Sequence, residues 1–316
     1  MNMRIRLEKI NGGKRRIKIG EQYSMKSVLK YPGAKNRLAS WICEYIPEHE
    51  VYLEPFAGSL AVLFNKPRCH IETVNDLSGE VVNFFRMLRD RGDELREKIR
   101  MTPYSREEYI LAYRETTDEL ERARRWAVRC WMGFGCGNLY QNGFKSGQQR
   151  KSPNPARAWE ELPETMKIAI DRLKGVQIEN LPAVNLIKRY DTPDVFIYAD
   201  PPYLHGTRKN YLYAHEMSDA EHEELLETLL DHPGKVLLSG YENDIYNKVL
   251  SDWNKVQKET RVLRSILFDA IICRFRQIKI SGFQPCCSSN NSFLLLLQQG
   301  FQGFGDGRSP YHFCTI

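Results

Sequence analysis

Two short apolar runs break off where a β-sheet cannot continue, and they constrain this chain more than any other feature. Val51-Tyr52-Leu53 leads into Glu54-Pro55-Phe56-Ala57-Gly58-Ser59 and then the apolar stretch Leu60–Phe64. That order reads as strand, turn, helix. The run Val195–Ala199 stops at Asp200-Pro201-Pro202-Tyr203. Two consecutive prolines remove two ladder donors, so the strand must end there, at the mouth of a sheet rather than within its core.

The same alternation surrounds both runs. His70–Val74 reads as a second strand, and Leu77–Leu88 sets Val81, Phe84, Phe85 and Leu88 on one helical face. Val176–Glu179, Val236–Ser239 and Lys255–Thr260 read as further strands, and Ala183–Arg189 as a helix. Ser218–Leu230 reads as a helix opened by a capping box of Ser218 with Glu221. Strands separated by helices predict an α/β domain with a doubly wound, mostly parallel sheet. Ligands of such a sheet sit at the carboxyl ends of its strands.

The alternation is interrupted between about 93 and 174. Helical runs (Ser105–Arg114, Asp118–Trp131) lead into a glycine-rich and then polar stretch, where Asn142-Gly143 signals a hairpin turn. The expected organisation is a basic N-terminal arm or edge hairpin at 1–25, a ligand-binding domain at 26–92 and 175–260, and a largely helical insertion at 93–174. The segment 261–316 forms an atypical tail. It holds only two carboxylates and half of the chain's 14 phenylalanines. Residues from about 270 onward are expected to be poorly ordered.

Apolar residues make up 42% and charged residues 27% of the chain, a globular composition that excludes disorder and collagen-like folding. No apolar window is long enough to span a bilayer, and the N-terminus lacks the apolar core of a secretory signal. The expectation is a cytoplasmic protein without membrane contact. The net charge of +6 is a weak signal, but its distribution is not. Residues 1–40 carry 11 Lys/Arg against Glu8 and Glu21, and 122–157 carry eight Lys/Arg and no carboxylate. Two basic blocks in a near-neutral chain suggest a polyanion, although two solvated loops would look the same. Cys43, Cys69, Cys130 and Cys136 show neither disulfide nor zinc spacing and read as reduced, mostly buried thiols. The adjacent Cys286-Cys287 pair fits no usual ligand spacing, so no metal site is expected.

Two constellations carry chemistry. The turn 54–59 offers Gly58 for close backbone approach and a helix start with free N–H groups. Asp76, at the end of the next strand, is placed to accept hydrogen bonds from ribose hydroxyls. Without a G-x-G-x-x-G pattern this suggests a nucleoside-containing ligand rather than a dinucleotide, and a purely structural turn stays open. Asp200-Pro201-Pro202-Tyr203 is more specific. An exocyclic amine held between the Asp200 carboxylate and the Pro201 carbonyl has both hydrogens accepted, which draws its lone pair out of conjugation. Tyr203 offers a face for the base to stack on. By contrast His205 reads as a loop histidine, and Trp126 and Trp131 as core residues of the insertion.

The order Lys30-Tyr31-Pro32-Gly33-Ala34-Lys35, Glu54-Pro55-Phe56-Ala57-Gly58-Ser59, Asn75-Asp76 and Asp200-Pro201-Pro202-Tyr203 resembles the Dam-like DNA adenine-N6 methyltransferases across roughly residues 26–260. The resemblance implies a Rossmann-like methyltransferase fold with an inserted target-recognition domain, S-adenosylmethionine as cofactor and double-stranded DNA as partner, in a bacterial cell or phage-infected host. It implies that Tyr31 and Lys35 border the methionine end of the cofactor, that Phe56 and Gly58 line it, and that Asp76 holds the ribose. Asp200, Pro201 and Tyr203 then form the catalytic motif. Leu60 stands where the family often has a second glycine. Arg129, Asn138, Gln141, Asn142, Lys145, Arg150 and Lys151 are the candidates for DNA contact. A related RNA or protein-amide methyltransferase usually carries Asn in place of Asp200. A non-catalytic homologue would explain the absence of a recognisable final hairpin after Arg261.

Overall fold

The computed structural model describes residues 6–9, 15–18, 25–134, 140–147, 153–204, 215–241, 243–262 and 265–274. Strands β1 (Arg6–Lys9) and β2 (Arg15–Lys18) of the basic leader pair antiparallel with each other. Helix α1 (Ala39–Cys43) precedes the first strand–turn–helix unit, β3 (Val51–Glu54) and α2 (Ala61–Asn65). Then come β4 (Ile71–Asn75) and α3 (Gly79–Asp90). The insertion supplies α4 (Gly92–Arg100), α5 (Arg106–Leu111), α6 (Glu119–Met132), α7 (Pro155–Glu160) and α8 (Leu162–Leu173). The alternation returns with β5 (Gln177–Glu179), α9 (Ala183–Ile187), β6 (Val195–Ala199), α10 (Asp219–Asp231), β7 (Lys235–Tyr241) and α11 (Asp244–Val249). It closes with β8 (Asn254–Val262) and β9 (Ser265–Cys273).

Seven strands form one sheet in the order β5-β4-β3-β6-β7-β9-β8. The first five run parallel, and β9 lies antiparallel between β7 and β8. The chain winds outward from β3 through β4 to β5, and from β6 to β7 on the other side. The topological switch point therefore falls between β3 and β6, which is where a doubly wound sheet opens a ligand crevice.

Period-two alternation sorts the strand side chains onto two covered faces. Tyr52, Phe196, Tyr198 and Leu237 join one buried cluster, and Leu53, Ile197, Ala199 and Leu238 join the other. Because both faces are covered, β6 is buried along its whole length and reads as an unbroken apolar run. Each fully buried large apolar side chain contributes roughly 1.5–3 kcal/mol. The capping box of Ser218 and Glu221 opens α10 as the sequence predicts.

Two expectations change. The insertion shares its core with the sheet: Leu95, Tyr109, Trp126, Trp131 and Trp159 lie in the same cluster as Val28, Tyr52 and Phe196. A boundary at 93 and 174 marks a change in sequence pattern but not a separate core. The sheet also runs past the expected boundary at 260, since β9 pairs with β8 from Val262–Ser265 to Asn254–Cys273. The final hairpin that the sequence seemed to lack is present. Residues 266–273 form an apolar run broken only by Asp269, and the segment of unlike composition that follows hides it in the sequence. The expectation of poor order from about 270 falls, beyond Arg274, outside the described residues.

Candidate active site

The turn after β3 is held open by its own backbone. Gly58 adopts φ +48°, and a Cβ there would stand 3.3 Å from the ring of Tyr31, so a side chain would be strained and crowded. Leu60 also lies in the left-handed region, at φ 56° and ψ 29°, immediately before α2. A leucine thus holds a backbone conformation that usually favours glycine. Burial of that side chain, which is fully enclosed, outweighs a left-handed cost of about 1 kcal/mol.

Asp76 is fixed next to this turn. Its Oδ2 accepts from the Gly58 N–H at 2.8 Å and its Oδ1 from the Ser78 N–H at 2.8 Å. Asn75 locks the strand end beneath it, donating through Nδ2 to the Pro55 carbonyl at 2.8 Å and to the Leu181 carbonyl at 3.0 Å. Burial pushes the Asp76 carboxyl above its usual range, and the two N–H donors work against that rise. Each oxygen keeps lone-pair capacity beyond one backbone bond.

On the neighbouring strand end, Asp200 forms a buried ion pair with Lys35, Oδ1 to Nζ at 2.8 Å. The same ammonium donates to the Gly33 carbonyl at 3.1 Å and lies 4.7 Å from the centroid of the Tyr203 ring. Tyr203 packs in turn against Tyr241, ring centroids 4.4 Å apart. Glu54, at the end of β3, is almost fully enclosed and accepts from the Tyr52 hydroxyl at 2.8 Å. Burial first, and then the charge of Asp200, raise its pKa to about 8.

One cleft gathers these groups. Tyr31, Lys35, Phe56, Gly58, Asp76 and Asp200 all line it. It encloses about 810 Å³ of empty space, its open mouth included. The lining combines aromatic side chains (Tyr31, Phe56, Tyr198), the backbone of the glycine turn, the Lys35 ammonium and the carboxylates of Asp76 and Asp200 among others. That is the donor and acceptor set needed by a nucleoside with a charged tail, so the residues fit S-adenosylmethionine. Pro201 is buried and Tyr203 half-buried, and neither is among the lining residues, whereas Pro202 is. Glu54 and Tyr198 also line the cleft and were missed as site residues. The signal for Glu54 was a glutamate at the end of an apolar strand, two residues after a tyrosine on the same face.

The DNA-contact candidates among the described residues, Arg129, Gln141, Asn142 and Lys145, are not part of the cleft lining. Arg129 donates through Nε to the Ala112 carbonyl at 2.7 Å and stacks on Tyr113 at 4.8 Å, so it also closes the end of α5. Gln141 and Asn142 are exposed and Lys145 is half-buried. The Lys145 N–H donates to the Met132 carbonyl at 2.7 Å, and Gly133 bridges Phe144. Asn142-Gly143 is therefore on the returning limb of a wider loop, not at a two-residue hairpin tip as its pattern suggested. Phe134 and Tyr140, 69% and 67% exposed, flank that loop and were not anticipated. Asn138, Arg150 and Lys151 lie outside the described residues, as does His205. Trp126 and Trp131 are buried, and Trp131 donates to the Val28 carbonyl at 3.1 Å while carrying the Lys30 ammonium 3.8 Å above its ring. The insertion thereby braces the segment that forms one wall of the cleft.

Cys43 and Cys69 are half-buried free thiols and Cys130 is buried. Among the described residues no three His, Cys, Asp or Glu side chains converge as metal ligands, and no helix is long and apolar enough to cross a membrane.

Comparison with known proteins points the same way as the cleft. Residues 31–263 match the family described as D12 class N6 adenine-specific DNA methyltransferase. A type II methyltransferase, M1.LlaDCHI of Lactococcus lactis subsp. cremoris, is 27% identical over 255 residues, covering 73% of this chain and 86% of its own length. Among solved structures, an SAM-dependent methyltransferase from Agrobacterium tumefaciens aligns with 84% of this chain and 75% of its own at 9% identity and a TM-score of 0.35. A precorrin 8W decarboxylase from Methanobacterium thermoautotrophicum aligns with 78% of this chain and 94% of its own at 10% identity and a TM-score of 0.35. Structural likeness at that level carries no weight here; the fold stands on the strand order itself.

Proposed function

The chain belongs to the D12 class N6 adenine-specific DNA methyltransferases, and on that premise we propose that it methylates adenine N6 at specific sites in duplex DNA. The base enters the cleft at the carboxyl ends of β3 and β6 after flipping out of the helix. The observation that carries this reading is that Asp76 and Asp200, from opposite sides of the topological switch point, line one cleft. The family's substrate is DNA, which sets aside the RNA and protein-amide readings. The presence of β9 removes the reason for expecting a damaged sheet.

S-adenosylmethionine, the cofactor of the enzyme, supplies a methyl group activated by a sulfonium centre. In this reading Asp76 accepts from its ribose hydroxyls, Phe56 and Gly58 line its middle, and Tyr31 and Lys35 border its methionine end. The Asp200 carboxylate and the Pro201 carbonyl accept the two hydrogens of the adenine amine, which frees its lone pair for in-line attack. The work of these groups is positioning rather than strong base catalysis. Asp200 orients the amine, whose proton leaves after the new N–C bond has formed.

Flipping the base costs a few kcal/mol. Phosphate contacts from the two basic blocks, Arg129 and Lys151 among them, offset that cost, while Asn138, Gln141, Asn142, Lys145 and Arg150 are candidates for reading base edges. Such binding weakens steeply with salt. We place the enzyme in the cytoplasm of a bacterial cell or phage-infected host, where such a substrate is found.

Incubation with methyl-labelled S-adenosylmethionine and adenine-containing duplexes tests the reading. The expected result is label in N6-methyladenine, lost in Asp200→Ala. Label in cytosine, in RNA alone, or undiminished in Asp200→Ala would overturn it.

A further inference from the structure

Resting on the methyl-transfer reading above, we propose that Lys35 is the positioning residue of the catalytic motif, one ammonium that fixes both the Asp200 carboxylate and the Tyr203 ring. Three contacts converge on its Nζ. It pairs with Asp200 Oδ1 at 2.8 Å, donates to the Gly33 carbonyl at 3.1 Å, and lies 4.7 Å from the Tyr203 ring centroid. The side chains of Lys35 and Asp200 are only 8% and 17% exposed. This differs from a cofactor contact alone, because the atoms held belong to the segment that receives the base.

The geometry gives Lys35 two tasks. A carboxylate on a flexible bond points anywhere, whereas one tied to an anchored ammonium presents its acceptor lone pairs in a fixed direction. The ammonium also keeps that carboxylate ionised. Asp200 also faces a second carboxylate, Glu54 from β3, and the hydroxyls of Tyr198 from β6 and Tyr246 from α11, all three of which its charge pushes upward in pKa. A protonated Asp200 carries an O–H where the amine needs an acceptor, and it no longer draws the lone pair out of conjugation. Lys35 opposes this from the N-terminal wall, so the first family motif acts on the last one through space.

Three variants separate this from a cofactor-binding or merely structural role. Lys35→Met removes the charge and keeps most of the volume, Lys35→Arg keeps the charge, and Lys174→Met removes an exposed lysine far from the cleft. In Lys35→Met the methylation rate at pH 7 is expected to fall by about tenfold or more. The acid limb of kcat against pH should move upward by about one unit, so that activity partly returns at pH 9. Lys35→Arg should keep the acid limb of the wild type, and Lys174→Met should match the wild type throughout. Cofactor affinity measured by calorimetry should change by less than about threefold in Lys35→Met.

A loss of cofactor affinity with an unmoved pH profile would overturn the proposal and return Lys35 to the cofactor alone. A rate loss equal at every pH would also overturn it and make the lysine structural. If the wild type itself fails to methylate DNA, the methyl-transfer reading falls; if the wild type methylates DNA and the acid limb of Lys35→Met does not move, only the role of the lysine falls.

Discussion

Two buried ionic clusters meet at Tyr52, one against its ring and one at its hydroxyl, and their difference shows what separates a structural charge from a working one. In the cluster against the ring, Glu72 is closed on every flank. Lys66 Nζ donates to its Oε1 at 2.6 Å, Arg172 reaches both oxygens at 2.5 and 2.8 Å, and the Lys66 ammonium rests 4.4 Å from the Tyr52 ring centroid. In the other cluster the Tyr52 hydroxyl donates to Glu54, which shares the open cleft with Lys35 and Asp200. Both clusters use lysine and carboxylate. In the first, cations outweigh the burial cost and hold Glu72 below the usual carboxylate range. In the second, burial wins and Glu54 is raised. A charge paired on all sides stabilises the fold, and an acceptor that faces a cleft remains available to a ligand.

The largest expected effect would break the closed cluster. Glu72→Ala leaves Lys66, whose side chain is fully buried, without its carboxylate. It should cost about 3–5 kcal/mol of unfolding free energy in denaturant titrations. Methylation by the fraction still folded should stay near the wild-type rate. Asp200→Ala tests the open cluster from the other direction. The methylation rate should fall roughly a hundredfold to a thousandfold, with a smaller drop in melting temperature than at Glu72. The drop is smaller because Lys35 lines the open cleft and keeps the Gly33 carbonyl as an acceptor. A variant at Asp200 that melts as early as the one at Glu72, or one that is stable but inactive at Glu72, would erase the distinction.

Leu60 lies on the stretch of chain joining Glu54 to Lys66, and Leu60→Gly probes that link. Relief of left-handed strain returns about 1 kcal/mol, while deletion of a fully buried leucine costs about 2–5 kcal/mol. Net destabilisation of roughly 1–4 kcal/mol by thermal unfolding is expected. Stabilisation would mean that the turn, and not its burial, dominates there.

The smallest effect is a difference of sign. The raised Glu54 contributes stability that is fully present below its unfolded pKa near 4.5 and lost as pH rises toward about 8. The lowered Glu72 contributes stability present above its unfolded pKa and lost as pH falls below that range. Glu54→Gln should therefore flatten the decline in melting temperature between pH 5 and 8 and leave the acid side unaltered. An unchanged slope on the alkaline side would remove Glu54 as its cause.

Much of this was legible in the linear chain, because it depends on contacts near in sequence. The strand ends at Glu54, Asn75 and Ala199 follow from apolar runs broken by turn residues, and the α10 capping box needs only Ser218 and Glu221. The nature of the cleft could be read from Asp76 and Asp200 for a similar reason, since strand ends of a parallel sheet gather on one edge. Only the tertiary structure decided which charges meet. Lys35 reaches Asp200 across 165 positions and Arg172 reaches Glu72 across 100, and no local pattern marks either pair. The shared core of the insertion and the placement of β9 between β7 and β8 belong to the same class. They depend on surfaces that come together when the chain packs, and on the free energy of burying them jointly, which no single segment contains.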